Sequence, residues 1–177
     1  MATTQILFAG FGGQGILFSG KFLAYEGLLE DKEVSWLPSY GPEMRGGTAN
    51  CSVIVSDEPI GSPIVGKPDV LVAMNLPSLD KYENEVVPGG KIFVDSTLIS
   101  RKVERTDVDV YYIPATSIAN EQGISTLANM IITGKVLKEV PMLGFDGIDA
   151  PLSKVVSARK AHLLDVNKTA LKLGYDY

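Results

Sequence analysis

Two clusters of residues near the start of the chain have types and spacings that can do chemistry. Gly10, Gly12 and Gly15 fit a G-x-G-x-x-G spacing, with Gly13 as an additional glycine, and they follow the apolar run Ile6-Leu-Phe-Ala9. Glycines so placed permit a tight turn, a close approach of backbone to ligand, and close packing of the helix that follows. The unpaired N–H groups and positive end of that helix favour a phosphate or another anion, through Gly12, Gly13, Gln14 and Gly15. The alternative is that these glycines serve packing alone. The second cluster is Pro38-Ser-Tyr-Gly-Pro-Glu-Met-Arg-Gly-Gly-Thr48, in which two prolines and three glycines prevent regular structure. Within it Tyr40, Glu43 and Arg45 carry polar groups, and Gly46 and Gly47 leave access to Arg45 clear. A guanidinium held there can present its fork to a carboxylate or phosphate. The alternative is an exposed loop with a weak Glu43–Arg45 pair.

Other chemistries are excluded by what the chain lacks. Cys51 is the single cysteine, so the chain can neither staple itself nor supply the thiolates of an iron–sulfur cluster. With no His or Lys near it in sequence, Cys51 reads as a small core residue. His162 is the single histidine, which excludes a histidine-rich metal site; it reads as a surface or edge residue. No acid/base pair stands out, so no catalytic residue and no metal ligand is assigned. The net charge of −5, with no basic run to offset it, argues against nucleic acid as a partner. No apolar run approaches the roughly 20 residues that span a bilayer. No basic segment and apolar signal region precede the first strand. A soluble, cytoplasmic protein is expected.

The elements that must position the two clusters follow from pattern. The apolar run Ile6–Ala9 predicts a buried parallel strand, and Ile16, Leu17, Leu23, Ala24 and Leu28 recur at helical steps after the turn. Val34–Leu37 predicts a second strand ending at Pro38. A dinucleotide fold places an Asp or Glu at the end of that strand to hold ribose hydroxyls. Pro38-Ser39-Tyr40-Gly41 stands there instead, and Glu33 lies at the wrong end, so the nicotinamide fingerprint is incomplete. Further strands are predicted over 49–55, 70–74, 91–95 and 110–113, with a helix from Asn75 to Tyr82 and Pro77 or Ser78 in its first turn. Asp95, Ser96 and Thr97 end one strand and read as a turn or cap. Thr116 or Ser117 is expected to cap a short helix reaching Gln122. The stretch 127–137 predicts a helix apolar around most of its circumference, whose burial calls for a partner chain in a domain this small. Residues 151–173 predict one long amphipathic helix. At 177 residues, with 45% apolar residues, residues 1–177 are expected to form a single α/β domain. The expected architecture is Rossmann-like and three-layered, with a mainly parallel sheet and a long C-terminal helix.

Taken with these elements, the chain resembles the gamma subunit of 2-oxoacid:ferredoxin oxidoreductases. The resemblance is carried by Gly10-Phe-Gly-Gly-Gln-Gly15, by Trp36-Leu-Pro-Ser-Tyr-Gly-Pro-Glu-Met-Arg-Gly-Gly-Thr48 and by Ser52-Val-Ile-Val-Ser56. The strand from Pro68-Asp69 to Asn75 and the segment Pro88-Gly-Gly-Lys-Ile-Phe-Val-Asp95 also fit. It covers most of the chain and is most like the 2-oxoglutarate branch. It implies a multi-subunit enzyme that oxidatively decarboxylates a 2-oxoacid, passes electrons to ferredoxin or a similar acceptor and forms an acyl-coenzyme A. Thiamine diphosphate, Mg, iron–sulfur clusters and coenzyme A would be held mainly by other subunits: alpha, beta and, in some such enzymes, delta. This chain would then serve assembly and ligand access, and isolated copies would pair as a homodimer through surfaces meant for partners. Gly12, Gly13, Gln14 and Gly15 would form an anion-receptive turn, and Tyr40, Glu43, Arg45, Gly46 and Gly47 would meet a neighbouring subunit or an anionic ligand. Two other readings stay open: a free-standing NAD- or FAD-binding oxidoreductase, and a purely structural interaction module.

Overall fold

The computed structural model describes residues 2–40 and 48–177, with Tyr40 described by its backbone alone. Six strands form one sheet: β1 (Thr3–Phe11), β2 (Glu33–Tyr40), β3 (Thr48–Ser56), β4 (Val70–Ala73), β5 (Lys91–Asp95) and β6 (Asp109–Ile113). Their order across the sheet is β2-β3-β1-β4-β5-β6. The pairs β1–β4, β4–β5 and β5–β6 are parallel, while β3 runs antiparallel to both β1 and β2. Thus β3 alone is reversed, and the expected α/β class with a mainly parallel sheet is found.

Helices cover both faces. On one face lie α1 (Ile16–Leu29), α4 (Ala128–Glu139) and α6 (Leu164–Asp176), together with the shorter α3 (Ala115–Glu121) and α5 (Asp149–Val155). The other face carries α2 (Leu76–Tyr82), packed with Leu7, Leu71, Ile92 and Val94. The central strands are therefore buried on both sides, which is why Ile6–Ala9 and Val70–Ala73 read as unbroken apolar runs. The crossover from β1 goes to one face and the crossover from β4 to the other. Adjacent parallel strands whose connections diverge open a crevice at their carboxyl ends, and the glycine turn sits at that point.

Several sequence expectations differ from the fold. The second strand does not end at Pro38; it continues to Tyr40. Pro38 is tolerated because β2 is an edge strand with a neighbour on one side only. The short helix before Gln122 is not capped by Thr116 or Ser117: Pro114 is its N-cap residue, and both hydroxyl residues lie inside α3. The apolar helix over 127–137 needs no partner chain for burial. In α4, Met130, Ile131, Ile132 and Val136 are sealed within this chain by the sheet and by α6. Two glycines bring α4 and α6 that close, since a Cβ at Gly134 would overlap the Leu171 carbonyl and one at Gly174 the Ile131 carbonyl. The chain does end in a helix, the 13-residue α6. The expected continuous run from Pro151 is instead α5, an extended break at Val156 and Ser157, a 3₁₀ segment over Ala158–Leu163, and then α6. Of its apolar positions, Leu152, Val156 and Ala170 are buried and Val155, Leu163, Val166 and Leu173 are partly buried.

Candidate functional site

The turn after β1 is built by side chains that the glycines make room for. Gly15 is the N-cap residue of α1 and takes a left-handed backbone, φ 77° and ψ 23°. Gly13 also has positive φ, 92°, with open space where a Cβ would point. Both positions therefore require glycine for conformation. Gly10 is different: a Cβ there would lie 2.5 Å from Gln14 Oε1. The Gln14 side chain folds back into that gap, where Oε1 accepts from the Phe11 amide at 2.6 Å and Nε2 donates to the Met74 carbonyl at 2.9 Å. Its amide is thus engaged in holding the turn across the β1–β4 crevice.

The start of α1 is open to a ligand. Gly15 offers no side-chain cap, and no acidic residue lies in the first turn. The amide N–H groups that begin a helix lack intrahelical acceptors, and here the helix dipole adds a partial positive charge. A cavity of about 460 Å³ opens at this end, bounded by Gly12, Gly13 and Gly15 of the turn, Lys21 of α1, Trp36 of β2 and Val155 of α5. Lys21 is the one cation of α1, and its Nζ lies 5.8 Å from the centre of the Trp36 ring. Cation and indole make a joint wall, worth roughly 0.5–1 kcal/mol as a pair at an exposed site. The chemistry on offer is capture of an anion by backbone N–H groups and Lys21, with an apolar surface beside it.

Beneath the cavity, α1 lies directly on β3. A Cβ at Gly20 would collide with Cys51 Sγ and come within 3.3 Å of Trp36 Nε1. Cys51 is fully buried, and burial pushes its thiol up to about 12, against a smaller lowering from its hydrogen bond with Trp36. A thiol so placed is neither a nucleophile nor a cluster ligand at neutral pH. Among the described residues no group of three or more His, Cys, Asp and Glu side chains is arranged to hold a metal ion. Likewise, among them no helix is long and apolar enough to cross a membrane.

Gly41 to Gly47, and with them Glu43, Arg45, Gly46 and Gly47, lie outside the described residues, as does the Tyr40 side chain. The flanks of that stretch are placed. Tyr40 pairs with Ala49, and Thr48 pairs with Phe11, the residue immediately before Gly12. The two sequence clusters therefore join the fold at the same end of neighbouring strands. Asp95 does not join them: fully buried, it accepts from Thr116 Oγ1 at 2.6 Å and from the Thr97 amide at 3.1 Å, a turn-and-cap role as expected.

The fold also changes the dinucleotide comparison. In the dinucleotide fold the second strand lies next to the first, so an acidic residue at its end reaches the ribose. Here β3 is inserted between β1 and β2. The end of β2 is two strand spacings, roughly 10 Å, from the turn.

Sequence reading missed Lys21, Trp36 and Asn129. Asn129 of α4 is 3% exposed and donates from Nδ2 to the Gly15 carbonyl and to Ser19 Oγ, each at 3.1 Å.

A family model described as pyruvate ferredoxin/flavodoxin oxidoreductase matches residues 5–177. The ketoisovalerate oxidoreductase subunit VorA of Methanothermobacter thermautotrophicus is 40% identical over 177 residues, which cover 98% of this chain and 36% of that protein. The 2-oxoglutarate synthase subunit KorC of Methanocaldococcus jannaschii is 42% identical over 137 residues, 76% of this chain and 73% of that protein. Among solved structures, the keto/oxoacid ferredoxin oxidoreductase gamma subunit from Geobacter sulfurreducens PCA superposes with a TM-score of 0.79 at 27% identity, over 98% of this chain and 96% of that one. The chain thus spans little more than a third of the length of the VorA protein and most of the length of KorC.

Proposed function

The chain belongs to the pyruvate ferredoxin/flavodoxin oxidoreductase family, and we propose that it is the gamma-type component of a multi-subunit 2-oxoacid:ferredoxin oxidoreductase. Residues 1–177 would act as one unit within an enzyme that decarboxylates a 2-oxoacid oxidatively, transfers the acyl group to coenzyme A and hands the electrons to ferredoxin. Among 2-oxoacids we assign 2-oxoglutarate, on the strength of the likeness to KorC. Alpha and beta subunits, with or without a delta subunit, are the partners, and without them two copies would pair through the surfaces so exposed.

The single observation that carries this reading is the open N-terminus of α1, with Lys21 and Trp36 beside it and the flanks of the Arg45 segment at the same strand ends. Gly12, Gly13 and Gly15 shape the turn, Gln14 holds it, and the N–H groups beyond with Lys21 bind and orient an anionic ligand. Tyr40, Glu43, Arg45, Gly46 and Gly47 are proposed to meet the same ligand or the adjoining subunit. The residues of this chain do not fit an iron–sulfur cluster, because its single thiol is buried and held protonated. Thiamine diphosphate, Mg and the clusters, supplied by the other subunits, would carry the decarboxylation and electron transfer. This chain contributes binding, orientation and exclusion of water.

Purification of the native complex tests the assignment. Recovery with a thiamine-binding and a cluster-binding chain is expected, with kcat/KM highest for 2-oxoglutarate among 2-oxoglutarate, ketoisovalerate and pyruvate. Full activity from this chain alone overturns the subunit role, and preference for ketoisovalerate overturns the assigned oxoacid. For the second cluster, Arg45→Ala is expected to raise the apparent KM for coenzyme A or the oxoacid, or to weaken assembly. No change in any of the three removes the Arg45 segment from the site.

A further inference from the structure

From the contacts of Gly15 we infer that Asn129 is the positioning residue of the anion-receptive turn, acting through the Gly15 carbonyl from a helix that the ligand itself never touches. The inference rests on the proposed role of the turn. An N-cap residue ordinarily takes an extended backbone and brings its own side chain to the helix end. Gly15 does neither: its backbone is left-handed and it has no side chain. What fixes it comes from elsewhere. Asn129 Nδ2 donates to the Gly15 carbonyl at 3.1 Å, and that same carbonyl accepts the Ser19 amide at 3.1 Å. The second hydrogen on Nδ2 goes to Ser19 Oγ, also at 3.1 Å. One side-chain amide thus grips both ends of the first turn of α1. The carbonyl it meets can only accept, so nitrogen and not oxygen must face it.

The fit is close enough to specify glycine as well. A Cβ at Gly15 would collide with Asn129 Nδ2 and lie 3.2 Å from Oδ1. Asn129 is 3% exposed, and its Oδ1 is buried without a hydrogen-bond partner among the described residues. A buried, unpaired acceptor costs stability, and an apolar side chain of the same shape would avoid that cost. A residue selected only to fill space in α4 would not be an asparagine. An asparagine is what the site needs if the purpose is a forked donor aimed at the turn. The main-chain carbonyl of Asn129 accepts from Thr133 Oγ1 at 2.7 Å.

The test uses the assembled complex and separates stability from ligand affinity. Asn129→Leu keeps the branched outline at a larger volume, removes the unpaired oxygen and abolishes the donor. It is expected to leave kcat unchanged while raising the apparent KM for coenzyme A or for the 2-oxoacid by about ten-fold, the value of one lost positioning hydrogen bond. Assaying both substrates identifies which anion the turn receives. Thr133→Ala, which breaks the neighbouring bond without touching the turn, is expected to lower thermal stability and leave both KM values unchanged. Gly13→Asp, placing a carboxylate on the open side of the turn, tests the role of the turn itself and is expected to raise the same KM. A raised KM in Gly13→Asp with none in Asn129→Leu overturns the positioning role and leaves the turn's role standing. No rise in either overturns both, and a rise in Asn129→Leu alone shows that its effect does not run through the turn. Should Asn129→Leu fail to assemble, Asn129→Ser replaces it, and a KM no higher than that of Thr133→Ala overturns the inference.

Discussion

Gln14 and Met74 are joined by a hydrogen bond of 2.9 Å from the side-chain amide to the main-chain carbonyl, which ties the exit of β1 to the exit of β4. These are the two strands whose crossovers diverge, so the bond spans the point where an open α/β sheet offers its crevice. Gln14 fills that point from within. The cavity at the start of α1 is lined by Gly12, Gly13, Lys21 and Trp36.

Gln14→Ala removes this bond and the one to the Phe11 amide, at 2.6 Å. Water can replace the second, at an exposed position, but not fully the first. A loss of about 1–2 kcal/mol is expected, read as a fall in Tm of roughly 2–8 °C. Gln14→Glu keeps the acceptor for Phe11, loses the donor to Met74 and adds a negative charge to the turn. It is expected to impair anion binding more than Gln14→Ala does. Equal effects of Glu and Ala on the apparent KM for the anion would show that no charge is received there.

Cys51 is expected to be chemically silent. It is fully buried against Gly20, and its thiol is pushed up to about 12. At pH 8 the thiolate fraction is negligible, so a thiol reagent should label the native protein far more slowly than the unfolded protein. Loss of activity on labelling at the native-state rate would contradict the burial and reopen a role for the residue.

Close crossing of α4 and α6 yields a stability prediction at two glycines. Gly174→Ala would drive a methyl group into the Ile131 carbonyl, and Gly134→Ala one into the Leu171 carbonyl. Backbone cannot yield as a side chain does, so the helices must separate and the expected loss is about 3 kcal/mol in each case. Alanine ordinarily improves a helix by about 1 kcal/mol over glycine, so the sign of the effect is itself diagnostic. Gly61→Ala, where a Cβ would meet open space, is the control and should be within about 0.5 kcal/mol of the parent. Denaturant unfolding of the three variants measures all of this.

What could be read from sequence, and what could not, divides by the range of the interaction. The strand–turn–helix at Ile6 to Leu29 depends on neighbours in sequence, and its apolar run, glycines and helical spacing state it outright. The position of β3 depends on pairing between distant segments, and nothing in Thr48–Ser56 announces that it will slip between β1 and β2. Gln14 looked like a ligand residue because it lies in the turn; that its amide reaches Met74 is a fact about a strand 60 residues away. Asn129 was hidden for the same reason, with 114 residues separating it from Gly15. A local hint did exist. Asn129 and Thr133 are polar residues one helical turn apart in a stretch apolar around most of its circumference, and such a pair in a buried helix has to bond to something. Lys21 gave a similar hint as the lone cation of α1. The helix break near Val156 had no such signal, because its apolar positions continue at helical spacing on both sides of it.

Glu26 is a buried carboxyl group. It lies on α1 at 3% exposure, and its carboxyl is pushed up from the usual 4.5 to about 7, first by burial and then by the charge of Glu30 one turn on. The folded value lies above the unfolded one, so the native state binds more protons than the unfolded chain between them. This group's contribution to stability is therefore full below about pH 4.5 and is lost as pH rises through about 7. Glu26→Gln removes the titration while keeping the shape. It is expected to exceed the parent in stability by roughly 3 kcal/mol at pH 8 and to match it near pH 4. Glu30→Gln should bring the transition to lower pH by removing the neighbouring charge, without abolishing it, because burial is the larger cause. Denaturant unfolding at a series of pH values measures each curve. A difference between Glu26→Gln and the parent that stays constant from pH 4 to 8 would mean that Glu26 does not titrate in this range.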